Sequence, residues 1–406
     1  MKRITMLFAV LMLSVWFMMS ANAVTVWYQP TPYQTQTQPG VHVQSGWFNN
    51  SFNQTLVWDD VLQIGGWGDY YTSPVKFDLT GLPPTVDGAY LYLYALPSGS
   101  SNPSQVAIYR ISDAWSPSTI GWSNFPYVDS GYYWPVSTVV NAWRMYTITE
   151  WYTAWKSGVH ANYGVLMWPY NNDGTQRFDK FASSKSTDDG KRPILRLDFT
   201  PTIEMKMPLP GNLSWAVTTE VGGWDSIGDW YDSAHDGINY FSIDFSWRNK
   251  DINGAQVYPD PNGTAVNIPI VAAASGRVRI AGGGDTQGNP NGFYVVIDHD
   301  YDNNSNTGFS TWYLHLKSSP LVYAGQNVTQ GDILGYMGTT GKDSSGNPTS
   351  NGVHLHFGVK YGNSGSSTIP ELTKVVMDGW LLKSFQSERV NGVYNNRYYR
   401  SGNRVY

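Results

Sequence analysis

Two histidines stand two positions apart in Val353-His354-Leu355-His356-Phe357, a run of β-forming residues. Side chains at i and i+2 of a strand leave by the same face. The imidazoles of His354 and His356 therefore project together, with Leu355 and Phe357 turned to the other side. Paired imidazoles on a rigid strand are a common way to build a metal site. The chain has seven histidines, and five of them (His235, His299, His315, His354 and His356) fall between 235 and 356. Asp244 lies nine positions after His235, within Tyr240-Phe241-Ser242-Ile243-Asp244-Phe245-Ser246. Ile243 and Phe245 alternate there with Ser242, Asp244 and Ser246, so the carboxylate shares a strand with buried apolar residues and needs a partner. Tyr313-Leu314-His315-Leu316 and the glycine-punctuated run from Gly331 to Gly341 complete the set.

The chain has no cysteine, so a metal site must be built from nitrogen and oxygen donors and no disulfide braces the fold. Zinc hydrolases use three ligands of the His or carboxylate type and leave a coordination position for water. The ion lowers the pKa of that water and polarises a scissile carbonyl, while neutral imidazoles nearby move protons. No His-Glu-x-x-His helix is present, which excludes the helix-borne type of zinc peptidase. Single histidines away from such a cluster are ordinary surface or core residues, the reading given to His42 and His160. His299 is expected to cap a strand end beside a hairpin. The stretch from Asp298 to Asn304 resembles a calcium loop only in part. An EF-hand wants Gly at its sixth place and Glu at its twelfth, where this chain has Asn303 and Phe309, so a solvated hairpin loop is expected. Gly282-Gly283-Gly284 lacks the following Lys-Ser/Thr of a phosphate cradle and reads as a flexible loop.

The elements that must hold these groups are β-strands. The 406 residues include 18 Trp, 28 Tyr and 15 Phe with 41 Gly and 23 Pro, a balance that favours an all-β, turn-rich protein of two domains. The net charge of −5 gives no footing for nucleic acid. Residues 1–23 read as an export signal: Lys2 and Arg3, an apolar run, then Ala21-Asn22-Ala23 as a cleavage site. No later stretch is apolar enough to span a bilayer. Strand runs with turn clusters between them fill 24–200, the rhythm of a β-sandwich. Among them are Val75–Leu79, Ala89–Ala95, Gln105–Ile111, Gly164–Trp168 and Pro193–Phe199. One short helix is expected over Thr149–Lys156, capped by Thr149. Residues 201–209 read as a linker, 210–380 as a second β-rich domain, and 381–406 as an extension packing one or two of its aromatics.

Two resemblances follow from particular segments. Phe77-Asp78-Leu79-Thr80-Gly81-Leu82-Pro83, Ala89-Tyr90-Leu91-Tyr92-Leu93-Tyr94 and Ala114-Trp115-Ser116-Pro117-Ser118-Thr119-Ile120-Gly121-Trp122 resemble the DNRLRE-type domain. That implies a jelly-roll-like β-sandwich over 24–200, with a role in carbohydrate or cell-wall attachment. The His…Asp pair, the Leu-His-Leu segment, the glycine-rich turn and the His-Leu-His-Phe strand, in this order, resemble the lysostaphin-type (LytM-like) zinc endopeptidases. The resemblance implies an antiparallel β domain of the duplicated-hybrid-motif kind, one Zn²⁺, and cleavage of peptide cross-links in bacterial peptidoglycan. It also implies that His235, Asp244 and His356 hold the metal. His354 would then act as general base or proton shuttle, and His315 would steady the charged intermediate. The family commonly sets its first His four residues before the Asp. The gap here is nine, which leaves Asp232 and Asp236 beside His235 as alternative first ligands. A metal-free wall-binding or regulatory scaffold, and a zinc endopeptidase acting on glycine-rich proteins, are the competing readings.

Overall fold

The computed structural model describes residues 23–28, 42–45, 54–56, 60–67, 70–98, 100, 102–116, 119–121, 124–135, 137–170, 175–223, 232–261, 266–302, 304, 307–387, 389–390, 393–394 and 397–404. The expected export signal lies outside them except for Ala23, as do residues 171–174, Asn303, and Pro117, Ser118 and Trp122 of the first resemblance.

The N-terminal half is an antiparallel β-structure. Its ladder runs Val24–Tyr28, Ile194–Phe199, Gly88–Leu96, Arg177–Ala182, Val61–Gly66, Tyr70–Val75, Val165–Pro169, Val106–Ile111, Val128–Tyr133. Alternate residues of strands from both ends of this ladder enter one core. Val26, Leu91, Phe181 and Leu195 pack there with Val106, Ile108, Val165 and Met167, so the ladder folds over itself as a sandwich. The expected strand at Val75–Leu79 is instead the end of Tyr70–Val75 followed by irregular chain. Phe77, Leu79 and Leu82 are buried there without a ladder, which is why their apolar run imitated one. The helix Thr149–Lys156 forms as expected and buries Trp151 and Tyr152. Thr149 does not cap it: Ile148 holds the cap position, and the Thr149 hydroxyl accepts the Ala89 N–H at 2.9 Å.

The C-terminal half is built on an eight-stranded sheet. Its order is Asn327–Val328, Gly276–Gly283, Phe293–Asp298, Phe309–Leu316, His354–Tyr361, Ser242–Lys250, Ser214–Thr219, Arg397–Arg400. Every neighbouring pair is antiparallel. Its core gathers Trp215, Phe241, Ile243, Phe245, Tyr313, Leu355 and Phe357. Gly282 and Gly283 are not a loop. They pair with Tyr294 and Phe293 and extend their strand to its end. At Gly283, φ is +85°, and an added Cβ would sit 2.1 Å from the Gly292 carbonyl, so glycine lets two backbones meet. Segment 201–209 supplies Ile203–Met205, which pairs in parallel with Val375–Met377. The tail supplies Arg397–Arg400 at the sheet edge and buries Tyr399, whose hydroxyl donates to the Ser384 carbonyl at 2.7 Å.

The two halves share buried contacts. Val376 and Leu381 join the N-terminal core. Lys383 is buried, and its Nζ donates to the Val221 carbonyl at 3.3 Å. Burial alone would depress this amine. Tyr240, Glu220 and Asp78 outweigh that and hold it above its ordinary range. Buried Glu220 accepts the Ser387 N–H at 3.1 Å. Lys383→Met should remove the buried ammonium that faces Glu220, Asp78 and Tyr240 and cost about 3 kcal/mol in denaturant unfolding, against about 0.5 kcal/mol for Lys250→Met at the surface. Equal losses for the two variants would remove the charge network from the account of stability.

Candidate metal centre

The site is assembled by cross-strand pairing. Asp244 lies directly opposite His356, and Ser246 opposite His354, in the antiparallel ladder of Ser242–Lys250 with His354–Tyr361. Ile243, Phe245, Leu355 and Phe357 point to the other side and are buried in the core. Two-residue alternation thus places one carboxylate and two imidazoles on a single face. Leu314 pairs with His356 on the far side.

His315 reaches that face by an irregularity. Phe293 pairs with Leu316 and Val295 with Tyr313, so two steps on one strand oppose three on the other. The extra residue is a β-bulge, and His315 within it has φ +61°. Tyr313 and Leu316 both enter the core, which strict alternation would forbid. The turned residue between them delivers its ring to within 5.1 Å of the His354 ring and 6.0 Å of the His356 ring, centroid to centroid. A non-glycine residue held at positive φ is a strained conformation of the kind found at functional sites.

His235 comes from outside the sheet, on the short 3-10 turn Ser233–His235. Its Nε2 lies 3.2 Å from Asp244 Oδ1, and its ring centroid 4.7 Å from that of His356. His356 Nδ1 is 3.1 Å from the same carboxylate oxygen. The alternatives, Asp232 and Asp236, are used otherwise: the Asp232 carboxylate accepts the Ala234 N–H at 2.8 Å and that of Asp236 accepts the Gly237 N–H at 2.6 Å, each capping a turn. Gly223 lets the chain pass behind this turn, since an added Cβ would lie 2.3 Å from the Asp232 carbonyl.

Three histidines are oriented by backbone carbonyls. His235 Nδ1 meets the Ser242 carbonyl at 2.9 Å, His315 Nδ1 that of Thr340 at 2.7 Å, and His354 Nδ1 that of Gly352 at 2.9 Å. A carbonyl only accepts, so each Nδ1 carries a proton, and in the neutral ring Nε2 presents a bare lone pair to the site. Thr340 belongs to the glycine-rich run, and its hydroxyl in turn donates to the Leu316 carbonyl at 2.6 Å. Ser350, 3.2 Å from His354 Nδ1, steadies the same ring.

The electrostatics agree. Burial opposes ionisation of Asp244, but His235, His354 and His356 overcome it and hold the carboxyl well below its usual range. Burial, reinforced by His354 and His356, pushes His315 down to about 4, so it is neutral at pH 7. Burial would depress His235 as well, yet Asp244 raises it. His235 Nε2 and Asp244 Oδ1 are buried and have no hydrogen-bond partner. Unpartnered buried polar atoms are costly, and a cation bound between these two and the third donor would satisfy them. His235 Nε2, Asp244 Oδ1 and His356 Nδ1 lie within 4.8 Å of one another. Two imidazole nitrogens and one carboxylate oxygen are a donor set that fits zinc.

Residues 257–368 match Peptidase family M23, and residues 63–198 match Carbohydrate-binding module family 96. The chain carries a peptidase family M23 domain. His315, His354 and His356 fall inside the matched residues, whereas His235 and Asp244 precede them and join the site through the fold. Solved structures similar to this chain include the following. A zinc-containing peptidase from Vibrio cholerae is 20% identical over 40% of each chain, with a TM-score of 0.24. A catalytic-domain variant of the prophage-encoded M23 protein EnpA from Enterococcus faecalis is 18% identical, over 38% of this chain and 88% of its own, with a TM-score of 0.24. The M23 metalloprotease pseudoalterin, from the deep sea, is 18% identical, over 50% of this chain and 96% of its own, with a TM-score of 0.26.

The match is to a peptidase family, and His235, Asp244 and His356 are placed so that they could hold a metal ion. His299 and His160 take no part in that cluster. His299 is held by the Ser275 carbonyl at 3.0 Å and the Thr311 hydroxyl at 2.9 Å, the structural role expected of it. His160 is exposed beyond the helix, and the His42 side chain lies outside the described residues.

Asp244→Ala and His356→Ala should each reduce bound zinc to under about a tenth of that in the unaltered chain, measured by metal analysis after gel filtration. Ligation requires bare imidazole nitrogens, so acid should release the ion as protons occupy them. Zinc retained unchanged in both variants would exclude this cluster as the site.

Proposed function

We propose that the chain is an exported zinc endopeptidase that hydrolyses peptide cross-links of bacterial peptidoglycan. On this reading residues 1–23 direct export, 24–200 form a wall-attaching module and 210–380 the catalytic domain, with 201–209 between them and 381–406 completing the fold. The observation that carries the proposal is the convergence of His235 Nε2, His356 Nδ1 and the orphaned Asp244 oxygen, with two further imidazoles beside them. A metal-free scaffold would have no use for such a costly arrangement. No helix among the described residues is long and apolar enough to cross a membrane.

Zinc, when bound, supplies Lewis-acid chemistry: it polarises a carbonyl and makes water acidic near neutral pH. The chain's own residues do the rest. His354 Nε2 lies 3.7 Å from Asp244 Oδ1, at the lip of the site, and its lone pair can take the proton of an attacking water. The side chain retains 17% exposure, so it can also meet a substrate. His315 is neutral, with its Nε2 bare, and can donate to a developing oxyanion only after it has received a proton. With the His354 ring 5.1 Å away, we assign the two imidazoles to one proton path: one accepts from water, and the protonated pair then faces the negative charge and supplies the leaving amine.

His354→Ala should keep its zinc and lose hydrolysis by about 10³-fold. The direct test digests purified peptidoglycan and a glycine-rich protein side by side, with the products weighed by mass spectrometry. New amino termini in the wall peptides are expected. Cleavage of the glycine-rich protein alone would replace the substrate assignment, and full activity of His354→Ala would remove the role given to that ring.

A further inference from the structure

The strand that carries His354 and His356 also carries a lysine on the same face. Residues 354, 356, 358 and 360 alternate with Leu355, Phe357 and Val359, which enter the core. Lys360 therefore stands on the face of the metal cluster, four positions beyond His356 and ~13 Å along the strand. Cross-strand pairing widens this face. Leu314 pairs with His356, Trp312 with Gly358 and Ser310 with Lys360. Leu314 and Trp312 are both partly exposed, so an apolar lane runs beside the strand from the cluster to the lysine. Gly358, between the two ends, adds no side chain to that lane.

Lys360 is buried to all but 9%. Its Nζ lies 4.1 Å from the centroid of the Trp312 ring. That ring is held in place by its Nε1, which donates to the Ser310 hydroxyl at 3.1 Å. Among the described residues the ammonium has no hydrogen-bond acceptor and no carboxylate partner. Asp298 pairs with Ser310 on this face, but its carboxylate accepts the Asp300 N–H at 3.3 Å and is hydrogen-bonded to the Asp300 side chain. Burial alone acts on Lys360 and pushes it down to about 8, so it still carries its charge at pH 7. Lys383, also buried, shows the usual solution, with Tyr240, Glu220 and Asp78 around it. A buried ammonium without a counter-charge is expensive, and one aromatic face replaces an anion only in part. The side of the amine turned from Trp312 is left for an acceptor that the fold does not supply.

We propose that Lys360, seated on Trp312, is a subsite for a carboxylate of the peptide substrate, about four residues along an extended chain from the bond that is cut. A peptide lying beside His354–Tyr361 would reach the lysine at that spacing, because an extended chain advances ~3.3 Å per residue. A side-chain carboxylate and a free carboxy terminus share this chemistry, and the test separates them. The inference rests on the peptidase reading given above and adds to it a preference for acidic peptides.

Calorimetry on the zinc-loaded full chain carrying His354→Ala measures binding without cleavage. The probes are a blocked eleven-residue peptide of glycine and alanine with Glu at its centre, its Gln counterpart, and the Gln peptide with a free carboxy terminus. The Glu peptide should bind about ten-fold more tightly than the blocked Gln peptide. Adding Lys360→Met, which keeps an apolar stem on Trp312, should make the two bind alike, with zinc content unchanged and thermal stability no lower. Lys360→Arg should keep the preference. With His354 intact, mass spectrometry should place the cut about four residues from the Glu, and Lys360→Met should raise KM about ten-fold at unchanged kcat. Tighter binding of the free-ended peptide alone would assign the subsite to a terminal carboxylate. Equal binding of all three peptides to the chain with Lys360, or a preference that survives Lys360→Met, would overturn the subsite and leave the peptidase reading in place wherever wall peptides are still cut. A lysine-dependent preference with no cleavage of wall peptides would keep the carboxylate site and remove the peptidase reading.

Discussion

A single buried carboxylate organises the catalytic half of this protein. Asp244 is surrounded by imidazoles and is held ionised against its own burial. An isolated buried carboxylate costs several kcal/mol, so the fold must bring compensating groups to it. The ladder brings His356 and His354 by direct cross-strand pairing, and a turn outside the sheet brings His235. The apolar residues that alternate with these groups, Ile243, Phe245, Leu355 and Phe357, form the heart of the core. Slipping the two strands by one residue would therefore bury the imidazoles and expose the phenylalanines together. Core packing and metal site depend on the same register, and each specifies the other.

Around that carboxylate the histidines divide by how their second nitrogen is used. Carbonyls of Ser242, Thr340 and Gly352 fix three of them in the tautomer that presents Nε2, while His356 faces Asp244 through Nδ1. Backbone carbonyls are suited to this because their positions are set by the fold rather than by a side-chain rotamer. The glycines near them have the same purpose. At Gly292 an added Cβ would lie 2.3 Å from the Thr340 carbonyl oxygen that orients His315. Any side chain there would displace the group that orients the ring.

Much of this was legible in the sequence, for identifiable reasons. His354-Leu355-His356 and Ser242–Ser246 obey strict alternation, so their faces could be assigned without coordinates. The chemistry-bearing residue types are rare in the chain, which made their clustering informative. The long gap between His235 and Asp244 carries no residue-type mark of the turns that fold His235 back. Asp232 and Asp236 stood beside it as substitutes; in the structure each carboxylate accepts a backbone N–H, while His235 is the one grouped with Asp244 and His356. The bulge at His315 was invisible: glycine or asparagine marks positive φ, and histidine at that position carries no such mark. Alternation alone would have sent its ring into the core with Tyr313. The carbonyls that set the tautomers have no residue-type signal either. In the N-terminal half, the abundance of aromatics was evident, yet which rings pack inside and which pave the surface depends on register, and composition does not contain register.

The two halves are joined by more than a covalent connection. Val376 and Leu381 of the C-terminal half lie in the N-terminal core, and Lys374 donates to the Thr85 hydroxyl at 2.9 Å. Lys383, drawn between Asp78 on one side and Glu220 and Tyr240 on the other, is buried at the same junction. Tyr240 directly follows the turn Gly237–Asn239 and precedes the strand of Asp244, so this junction lies a few residues from both His235 and Asp244. A flexible tether would raise the local concentration of substrate through its length alone. A packed junction adds orientation: on the function proposed above, a glycan held by one half would be presented to the site of the other through the contacts of Val376, Leu381 and Lys383, which suits a polymer that cannot diffuse to the site.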